Sequence, residues 1–289
     1  MMIKNMEAIQ NKGFTLIELI IVILIIGILS SVLATIMRGP MTQFVQVEQR
    51  ANLVDIAETA LLRMTREIRL ALPNSIRINA GPEIEFIRTV DGGRYRDKVD
   101  PTDANIQCGS KSNDKLSFSS NTDCFEIIGA LQNLPGSPPT GSTQATCLNQ
   151  TALCLVIFNT GQSGANVYNL DNIAAISAIN TTRITFNNSA MAGFKFPHKS
   201  PRQRFFIIDT PVKFVCNGAQ INRVFNYNFN TGAGGTSNLL VNQLSNCTFT
   251  YNAGTATRAG LVTISITVRD NDLGQEVTLL QQAHVDNQP

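Results

Sequence analysis

The chain has 289 residues, which is enough for one large or two modest domains with a buried core. Its net charge of +2 and its charged fraction of 15% argue against a nucleic-acid-binding surface and against a site for an acidic substrate. Six cysteines without a CxxC pair, and only two histidines, argue against zinc and favour disulfides in an oxidising compartment.

The first informative segment is the apolar run from Phe14 to Met37, which carries no charge after Glu18. Its length suits a helix that crosses the ~30 Å hydrocarbon core of a bilayer. One interpretation is a secretory signal peptide, with Lys4 and Lys12 as its basic region and residues 32–34, Val-Leu-Ala, as its cleavage site. A second interpretation is a plain membrane anchor.

Glu18 favours a third interpretation. A carboxylate inside a membrane segment costs roughly 2.5–3.5 kcal/mol, and neither a signal peptide nor a plain anchor has a use for it. If the chain is cut between Gly13 and Phe14, Phe14 becomes the first residue of a helix and carries a free amine. Glu18 then lies about one turn from the helix N-terminus, where the macrodipole favours an anion, and it can pair with the amine of a neighbouring subunit.

Residues 12–18 have the sequence Lys-Gly-Phe-Thr-Leu-Ile-Glu, which resembles the cleavage and methylation motif of type IV prepilins and of type II secretion pseudopilins. The resemblance implies cleavage after Gly13 by a prepilin peptidase, N-methylation of Phe14 and a role for Glu18 in assembly. It also implies a single-pass inner-membrane protein whose periplasmic C-terminal domain enters a pilus. The implied partners are the peptidase, the major pilin and other minor pilins, the inner-membrane assembly platform and membrane lipid.

Beyond Pro40, apolar residues at helical spacing over 41–72 predict a second helical length that Pro73 ends. The residues at this spacing are Phe44, Val47, Ala51, Val54, Leu61 and Ile68. We expect Gly39-Pro40 to bend the helix if it is continuous. The predicted organisation is a leader peptide over 1–13, a transmembrane and assembly helix over 14–37, an amphipathic periplasmic half over 38–73 and a β-rich periplasmic domain over 74–289.

From Ile76 onward the sequence predicts β-strands. Asp91-Gly92-Gly93 predicts the turn of a hairpin between strands at 84–88 and 95–96. Further strands are predicted at 115–119, 154–158, 183–186, 204–208, 212–216, 223–229, 247–251, 261–268 and 277–284. Exposed loops are predicted at 133–143 and 231–237. The predicted fold class is α+β and pilin-like, with a long N-terminal helix packed on antiparallel β-sheets.

Two later stretches, Arg204–Val212 and Ala283–Pro289, resemble the minor pilins of mannose-sensitive haemagglutinin pili, which in turn resemble J-type minor pseudopilins. The first proline after the motif is Pro40 and the globular part is large, and both features favour a minor, low-copy pilin over a main shaft subunit. The resemblance implies a minor pilin that initiates or caps a pilus at its tip. The alternatives are a J-type pseudopilin of a type II secretion system, a pilus-tip adhesin or binding module, and an anchored periplasmic enzyme.

The disulfide candidates are Cys108, Cys124, Cys147, Cys154, Cys216 and Cys247. Six cysteines allow 15 connectivities, and the sequence alone does not choose among them. Sequential pairing is supported by the short polar turn between Cys147 and Cys154, and by the apolar runs at Cys216 and Cys247 that suit neighbouring strands. The first two cysteines are then left to pair with each other. The alternative is that the cysteines are free buried thiols.

The sequence predicts no catalytic centre. Asp270–Glu276 offers several oxygen ligands but lacks the spacing of an EF-hand, and a hairpin turn between two strands is the simpler interpretation. His198 and His284 have no companions at ligand spacing, and His198 is expected in a surface loop. No Ser/His/Asp grouping, phosphate-binding loop or paired-carboxylate pattern is present. We therefore expect no enzyme activity, no metal and no cofactor.

Overall fold

The computed structural model describes residues 13–79, 81–99, 114–120, 122–133, 136, 138, 142–148, 152–187, 194–255, 258–271 and 274–289. The chain divides into two compact units, Met1–Ala51 and Asn52–Pro289. Among the described residues the elements are α1 (Leu16–Ile68), β1 (Arg77–Asn79), β2 (Glu83–Tyr95), β3 (Cys124–Ile128), β4 (Cys154–Val156), β5 (Ile173–Ile179), β6 (Arg183–Asn187), β7 (Arg204–Asn217), β8 (Gln220–Tyr227), β9 (Gly234–Val241), β10 (Leu244–Asn252), β11 (Gly260–Arg269) and β12 (Glu276–Val285), with 3-10 turns at Gln144–Thr146 and Val167–Asn169.

Helix α1 is continuous through Pro40, where the sequence indicated a boundary between two helical lengths. A proline inside a helix removes one backbone hydrogen bond, and α1 tolerates that loss without ending. The helix ends at Ile68, and the backbone turns before Pro73 is reached. The Arg69 and Leu70 amides still donate to Thr65 and Glu67 carbonyls, and they close the last turn.

The part of α1 within the second unit contributes one apolar face to the core. Its buried residues recur at spacings of three and four, as one side of a helix requires. They are Leu53, Ala57, Ala60, Leu61, Met64 and Ile68. The predicted face was only partly right, because Phe44 and Val47 are 70% and 68% exposed and Ala51 is also exposed. The buried face begins at Leu53, where strand side chains from both sheets cover it.

Six strands of the larger sheet close into a ring. Its nine strands follow the order β1-β2-β3-β6-β5-β4-β7-β8-β9, and an additional pairing joins β2 to β7. The Arg94 backbone position shows the closure, since it pairs with Ile128 on β3 and with Arg204 on β7. All six ring strands contribute to one buried cluster that includes Tyr95 and Phe125. The ring is therefore filled by side chains, as expected for a small closed sheet.

The second sheet has three antiparallel strands in the order β10-β11-β12. Alternate residues of β11 are fully buried, and they are Val262, Ile264, Ile266 and Val268. These residues belong to the same cluster as the buried face of α1 and the inner residues of β2 and β7. The domain is thus an α+β fold in which the helix packs on sheets, as the sequence predicted.

An ion pair adds a second link between α1 and the larger sheet. Arg223 on β8 donates from Nε to Glu67 at 2.6 Å, and Arg63 approaches the same carboxylate at 3.6 Å. The Arg223 side chain is only 6% exposed. Because a charge buried this deeply is costly when unpaired, Glu67 ties the helix to β8 in one register.

The predicted hairpin at Asp91-Gly92-Gly93 is wrong, because β2 continues through these residues and pairs with β7. The two glycines do not form a turn; they allow Phe205 of β7 to approach the β2 backbone closely. A Cβ atom at Gly92 would lie 2.9 Å from the Phe205 carbonyl oxygen, and one at Gly93 would lie 2.9 Å from the Phe205 ring. Register shifts between Ile87 and Asp91 mark β-bulges at the same place.

Other strand predictions also differ from the structure. The two strands predicted at 204–208 and 212–216 form the single strand β7, which continues through Pro211. The predicted strand at 115–119 is instead a set of bends, in which the Ser117 hydroxyl accepts from the backbone of Ser120 at 3.1 Å. The predicted loop at 231–237 is wrong from Gly234 onward, where β9 begins. Strands β1, β3, β5 and β9 were not predicted.

The β11–β12 hairpin confirms the interpretation of Asp270–Glu276 as a turn, with Arg269 opposite Glu276 at its base. The Asp270 amide donates to the Gln275 carbonyl at 2.9 Å and closes the turn. Asp272 lies outside the described residues.

Two of the sequential disulfides are confirmed. Cys147 is bonded to Cys154, and Cys216 on β7 is bonded to Cys247 on β10. The second bond links the larger sheet to the smaller one. Cys108 lies outside the described residues, so its pairing with Cys124 stays a prediction.

The C-terminal tail is held between the two sheets. Asn287 donates from Nδ2 to the Tyr251 hydroxyl at 2.8 Å, and its side-chain oxygen accepts from the Asn74 amide at 3.3 Å. Arg204 lies 3.4 Å from Asp286, so the two stretches with a resemblance to minor pilins contact each other. These bonds join β7, the segment after α1 and the smaller sheet through the last residues of the chain.

Tyr95 supports the loop beneath this tail. Its hydroxyl accepts from the Ser200 amide at 3.2 Å, while the Ser200 hydroxyl donates to the Pro289 carbonyl at 3.2 Å. Burial raises the pKa of Tyr95 to about 12. The phenol therefore keeps its proton throughout the physiological range.

The close approach at Gly92 generates a stability prediction. Gly92→Ala places a methyl group against a backbone oxygen, and we expect it to destabilise the domain by about 1–3 kcal/mol. The matched control is Gly136→Ala, because a Cβ atom there meets nothing within 4 Å. The melting temperature of the detergent-solubilised full chain is measured for both variants by thermal unfolding. Equal melting temperatures for the two variants would contradict the packing argument.

The disulfides generate a second prediction. The bonded cysteines are 7 residues apart in the Cys147–Cys154 bond and 31 apart in the Cys216–Cys247 bond. On the chain-entropy model the longer loop is worth about 3–4 kcal/mol and the shorter one about 2–3 kcal/mol. Replacing both cysteines of a pair by alanine should therefore cost more stability for the longer loop. Denaturant unfolding measures the free energy of unfolding of both double variants. A larger loss of stability for the Cys147–Cys154 variant would contradict the chain-entropy argument.

Candidate functional site

The first described residues of the N-terminal motif, Gly13, Phe14 and Thr15, lie in an exposed stretch before α1. Gly13, Phe14 and Thr15 are not helical, and α1 begins at Leu16 in the uncut chain, two residues later than predicted. The Phe14 side chain is 79% exposed. A Cβ atom at Gly13 would meet nothing within 4 Å. The fold itself therefore gives no reason for glycine at position 13, and a requirement for a small residue must come from outside the chain.

Thr15 caps the start of the helix. The Glu18 amide donates to Thr15 Oγ1 at 3.4 Å, as in the first half of a capping box. This role was missed in the sequence, although the signal was present as Thr-x-x-Glu directly before an apolar run. The Glu18 backbone amide therefore has a local partner within one subunit.

The Glu18 side chain is exposed and lies in the first turn of α1. At this position the unpaired amides of the helix start and the macrodipole favour a negative charge. Cutting the chain after Gly13 would add a positive amine four residues away. The structure thus places the carboxylate at the electropositive end of an apolar helix.

The apolar surface that follows is not covered by the chain. Leu16–Met37 has a mean hydropathy of 3.0, and none of it is buried. The polar hydroxyls of Ser31 and Thr35 donate to the Ile28 and Ser31 carbonyls of the same helix. These polar groups are thereby satisfied without water, which is the condition for a helix in lipid.

The second unit carries a charged groove beside α1. It has a volume of about 640 Å³ and runs between the exposed side of the helix and Gln281 on β12. Leu62, Arg66 and Arg69 line it and are exposed. Their spacing of three and four residues, which places them on one helical face, is visible in the sequence.

A largely buried polar cluster lies on the larger sheet, between β1, β2 and β8. The Tyr227 hydroxyl donates to the Glu85 carboxylate, and Arg77 donates to the same carboxylate at 3.0 Å. The Arg77 guanidinium also lies 3.6 Å from the centre of the Tyr168 ring. Burial and the nearby charge of Glu85 raise the pKa of Tyr227. This phenol therefore stays protonated, and the cluster joins β1, β2 and β8 rather than supplying a base.

Both histidines are exposed. His198 is exposed and lies against the Phe158 ring, with the ring centres 6.0 Å apart, as expected for a loop residue. His284 is exposed on β12. In the described part of the chain, no group of three or more His, Cys, Asp or Glu residues could hold a metal ion.

A further cleft of about 600 Å³ lies near the disulfide that joins the two sheets. It is lined mostly by amides, including Asn217, Gln220 and Gln243, with Arg269 at its rim. Neutral amides donate and accept hydrogen bonds but do not transfer protons at neutral pH.

Comparison with known proteins identifies the N-terminal segment. Residues 10–34 match the prokaryotic N-terminal methylation motif, which is found in type IV pilin-like proteins. The match includes Gly13, Phe14 and Glu18 and extends into the apolar helix. No curated protein and no solved structure matches the chain significantly.

Proposed function

We propose that this chain is a prepilin that is cleaved after Gly13, methylated at Phe14 and assembled through α1 into a type IV pilus-like filament. The observation that carries the proposal is the entirely unburied apolar surface of Leu16–Met37, which directly follows a matched methylation motif. At 1.5 Å per residue these 22 residues extend about 33 Å, enough for the hydrocarbon core. Lipid covers this surface before assembly, and neighbouring subunits cover it afterwards.

Glu18 supplies specificity for the assembly step. After cleavage it lies four residues from a charged amine and close to the start of an apolar helix. In an environment that excludes water, a carboxylate and an amine from two subunits attract strongly, and the pairing offsets the desolvation of both charges. The mechanism is assembly rather than catalysis.

The disulfides support a periplasmic domain. Bonds of this kind persist in oxidising compartments such as the bacterial periplasm. Among the described residues Cys147 is bonded to Cys154, and the Cys216–Cys247 bond links the two sheets. The positively charged leader residues Lys4 and Lys12 favour retention of the N-terminus in the cytoplasm, so α1 crosses the inner membrane once.

We propose further that the protein is a minor pilin of the mannose-sensitive haemagglutinin type, similar to MshO, which initiates or caps the pilus. Its large domain and the lack of a proline between Phe14 and Pro40 support a minor subunit. The contact between Arg204 and Asp286 supports a shared structural role for the two stretches that resemble these minor pilins. A J-type pseudopilin is the nearest alternative, and the other pilins and the assembly platform are the partners in either case.

Processing tests the proposal directly. The mature protein should begin with N-methyl-Phe14 in cells that contain the peptidase, because the motif places the cut after Gly13. Intact-mass measurement and N-terminal sequencing check this. A mature protein that begins at Thr35 would contradict the proposal and support a signal peptide.

The control for processing is Gly13→Leu. Since a side chain at position 13 meets nothing in the chain, the variant should keep the wild-type melting temperature while cleavage fails. Normal cleavage of Gly13→Leu would show that the peptidase does not need a small residue here.

Glu18→Ala tests the assembly mechanism. Cleavage should persist, because the leader and Gly13 are unchanged. Membrane insertion should also persist, because the substitution removes a carboxylate whose transfer into lipid costs free energy. Recovery of partner pilins and the number of surface pili should fall, because the amine of the neighbouring subunit loses its counter-charge. Co-purification and pilus counts measure both effects.

A second variant separates assembly from helix capping. Thr15→Ala removes the hydroxyl that caps α1 but keeps the Glu18 charge. Piliation should be close to normal in Thr15→Ala and reduced in Glu18→Gln. A loss in Thr15→Ala as large as the loss in Glu18→Gln would contradict a specific role for the Glu18 charge, and normal piliation in both variants would show that the carboxylate is dispensable.

A further inference from the structure

Three connections between strands line one cleft, which we call the amide cleft because most of its lining side chains are primary amides. The cleft has a volume of about 600 Å³. The β7–β8 turn, the β9–β10 connection and the β11–β12 turn each contribute to it. Its amide side chains are Asn217, Gln220, Asn242, Gln243 and Asn271. Loops that a rigid scaffold holds in place commonly carry binding sites, so the convergence of these three marks a candidate site.

Covalent and backbone bonds hold the three connections together. The disulfide that joins β7 to β10 lies directly before the β7–β8 turn. The Leu244 amide of β10 donates to the Ala219 carbonyl of that turn at 2.9 Å. The Arg269 amide of β11 donates to the Gln243 carbonyl at 2.8 Å, which ties the second connection to the third. Gln243 keeps a positive φ of 58°, a conformation that is unfavourable for residues other than glycine and that these contacts enforce. The cleft is therefore preformed, and a ligand does not have to order it.

The fold does not use the side-chain amides of the cleft. In the part of the chain that the structure describes, none of the five side chains forms a hydrogen bond. Four of them are exposed, and Gln243 is half-buried. Each primary amide offers two N–H donors and a carbonyl acceptor. The cleft therefore suits a ligand whose groups both donate and accept hydrogen bonds.

The described walls of the cleft carry no unbalanced charge. The sequence has no charged residue between Arg223 and Arg258, a range that includes the β9–β10 connection. Arg269 at the rim lies 3.8 Å from Glu276, which also accepts from the Ser245 hydroxyl at 3.1 Å. A phosphate or carboxylate ligand is held best by unpaired cations, which these described walls lack. We therefore expect a neutral ligand.

A small apolar spot adjoins the amides. Ala219 and Leu244 both line the cleft, and the backbone bond between them places them side by side. Gln220 follows the first in the chain, Gln243 precedes the second, and both glutamines also line the cleft. A methyl group that contacts this spot would have amide donors and acceptors beside it. An acetamido group matches this combination, because its methyl carbon is attached to a carbonyl that is followed by an N–H.

We propose that the amide cleft binds a neutral saccharide that carries N-acetyl groups. The acetamido methyl contacts Ala219 and Leu244, and its N–H and carbonyl pair with the glutamine amides. The ring hydroxyls, which donate and accept hydrogen bonds, pair with the three asparagines. Two sources supply this chemistry, namely the N-acetylated glycan strands of the cell wall around the proposed periplasmic domain and N-acetylated glycans outside the cell.

An extended peptide also presents N–H and carbonyl groups, but it matches the cleft less well. Peptide recognition gains its specificity from pockets for alternate side chains. Among the described lining residues only Ala219 and Leu244 are apolar, so the cleft offers no such row of pockets. Its polar walls suit the hydroxyls of a sugar instead.

Saturation-transfer NMR on the full-length chain tests the binding of the saccharide. The detergent has a polyoxyethylene headgroup, because a maltoside headgroup would itself present sugar hydroxyls. The probe is tri-N-acetylchitotriose, and the control probe is cellotriose, which has the same linkage with hydroxyls in place of the acetamido groups. Saturation should reach the acetyl methyl protons of the first probe. Cellotriose should bind about tenfold more weakly, since the acetamido hydrogen bonds and methyl contact are absent. Equal binding of the two probes, or binding of neither, would overturn the proposal.

Two variants of the cleft test the site itself. Asn217→Ala with Gln220→Ala should raise the dissociation constant for tri-N-acetylchitotriose about tenfold, because hydrogen bonds to the ligand are lost. The melting temperature should stay at its wild-type value, because neither side chain forms a hydrogen bond in the described part of the chain. Ala219→Glu places a carboxylate on the apolar spot and should abolish binding by a separate route. Wild-type affinity in either variant would overturn the proposal.

The matched control is Asn238→Ala with Gln288→Ala, which removes two exposed amides that do not line the cleft. The dissociation constant and the melting temperature should both stay unchanged in this control. A loss of affinity as large as that of Asn217→Ala with Gln220→Ala would place the binding elsewhere and overturn the proposed site.

Two solid phases distinguish the sources of the saccharide. The solubilised chain is incubated with purified cell-wall sacculi and, separately, with beads that carry a glycoprotein whose glycans end in N-acetylglucosamine. Retention on sacculi assigns the cell wall, and retention on the glycoprotein alone assigns an external glycan. In either case Asn217→Ala with Gln220→Ala should reduce the retained fraction, and N-acetyl-trialanine amide is the probe for a peptide ligand. Release of the chain by this peptide as readily as by tri-N-acetylchitotriose, or retention on neither phase, would overturn the proposal.

Discussion

The packing of one apolar face of α1 against both sheets is the constraint on which the rest of the structure depends. Met64 and Ile68 are fully buried among strands of the larger sheet and of β10–β12. Truncating a buried side chain such as Met64 to alanine costs about 2–5 kcal/mol in typical cores. The Glu67–Arg223 ion pair fixes the helix rotation, because any other rotation would leave a buried charge without its partner.

That rotation decides which residues of the helix remain for partners. With Leu53 and Met64 facing the core, Leu62 and the unpaired charges around it must face outward. Towards the N-terminus the helix becomes apolar on every side, and no part of Leu16–Met37 is covered. An amphipathic helix suits a protein surface and a uniformly apolar one suits lipid or other helices. One element thus combines a domain anchor with an assembly segment.

The β domain gives this helix a rigid support. The closed ring of six strands removes two exposed sheet edges, which limits edge-to-edge pairing with other chains. The Cys216–Cys247 bond and the tail residues Asp286 and Asn287 then join the ring to the smaller sheet. These bonds link the two sheets that together enclose the core around Met64.

The sequence by itself determined the features that arise from local patterns. The motif around Gly13, the apolar segment, the β11–β12 hairpin and the pairing of Cys147 with Cys154 all depend on residues that are close in the chain. Only the tertiary structure decided the roles of Gly92 and Pro211, which mark turns in isolated sequence but lie inside long strands here. The physical reason is that these strands are stabilised by distant partners, with β7 opposite β2 and the Phe205 ring over the glycines, and no local pattern records which chain segment will approach.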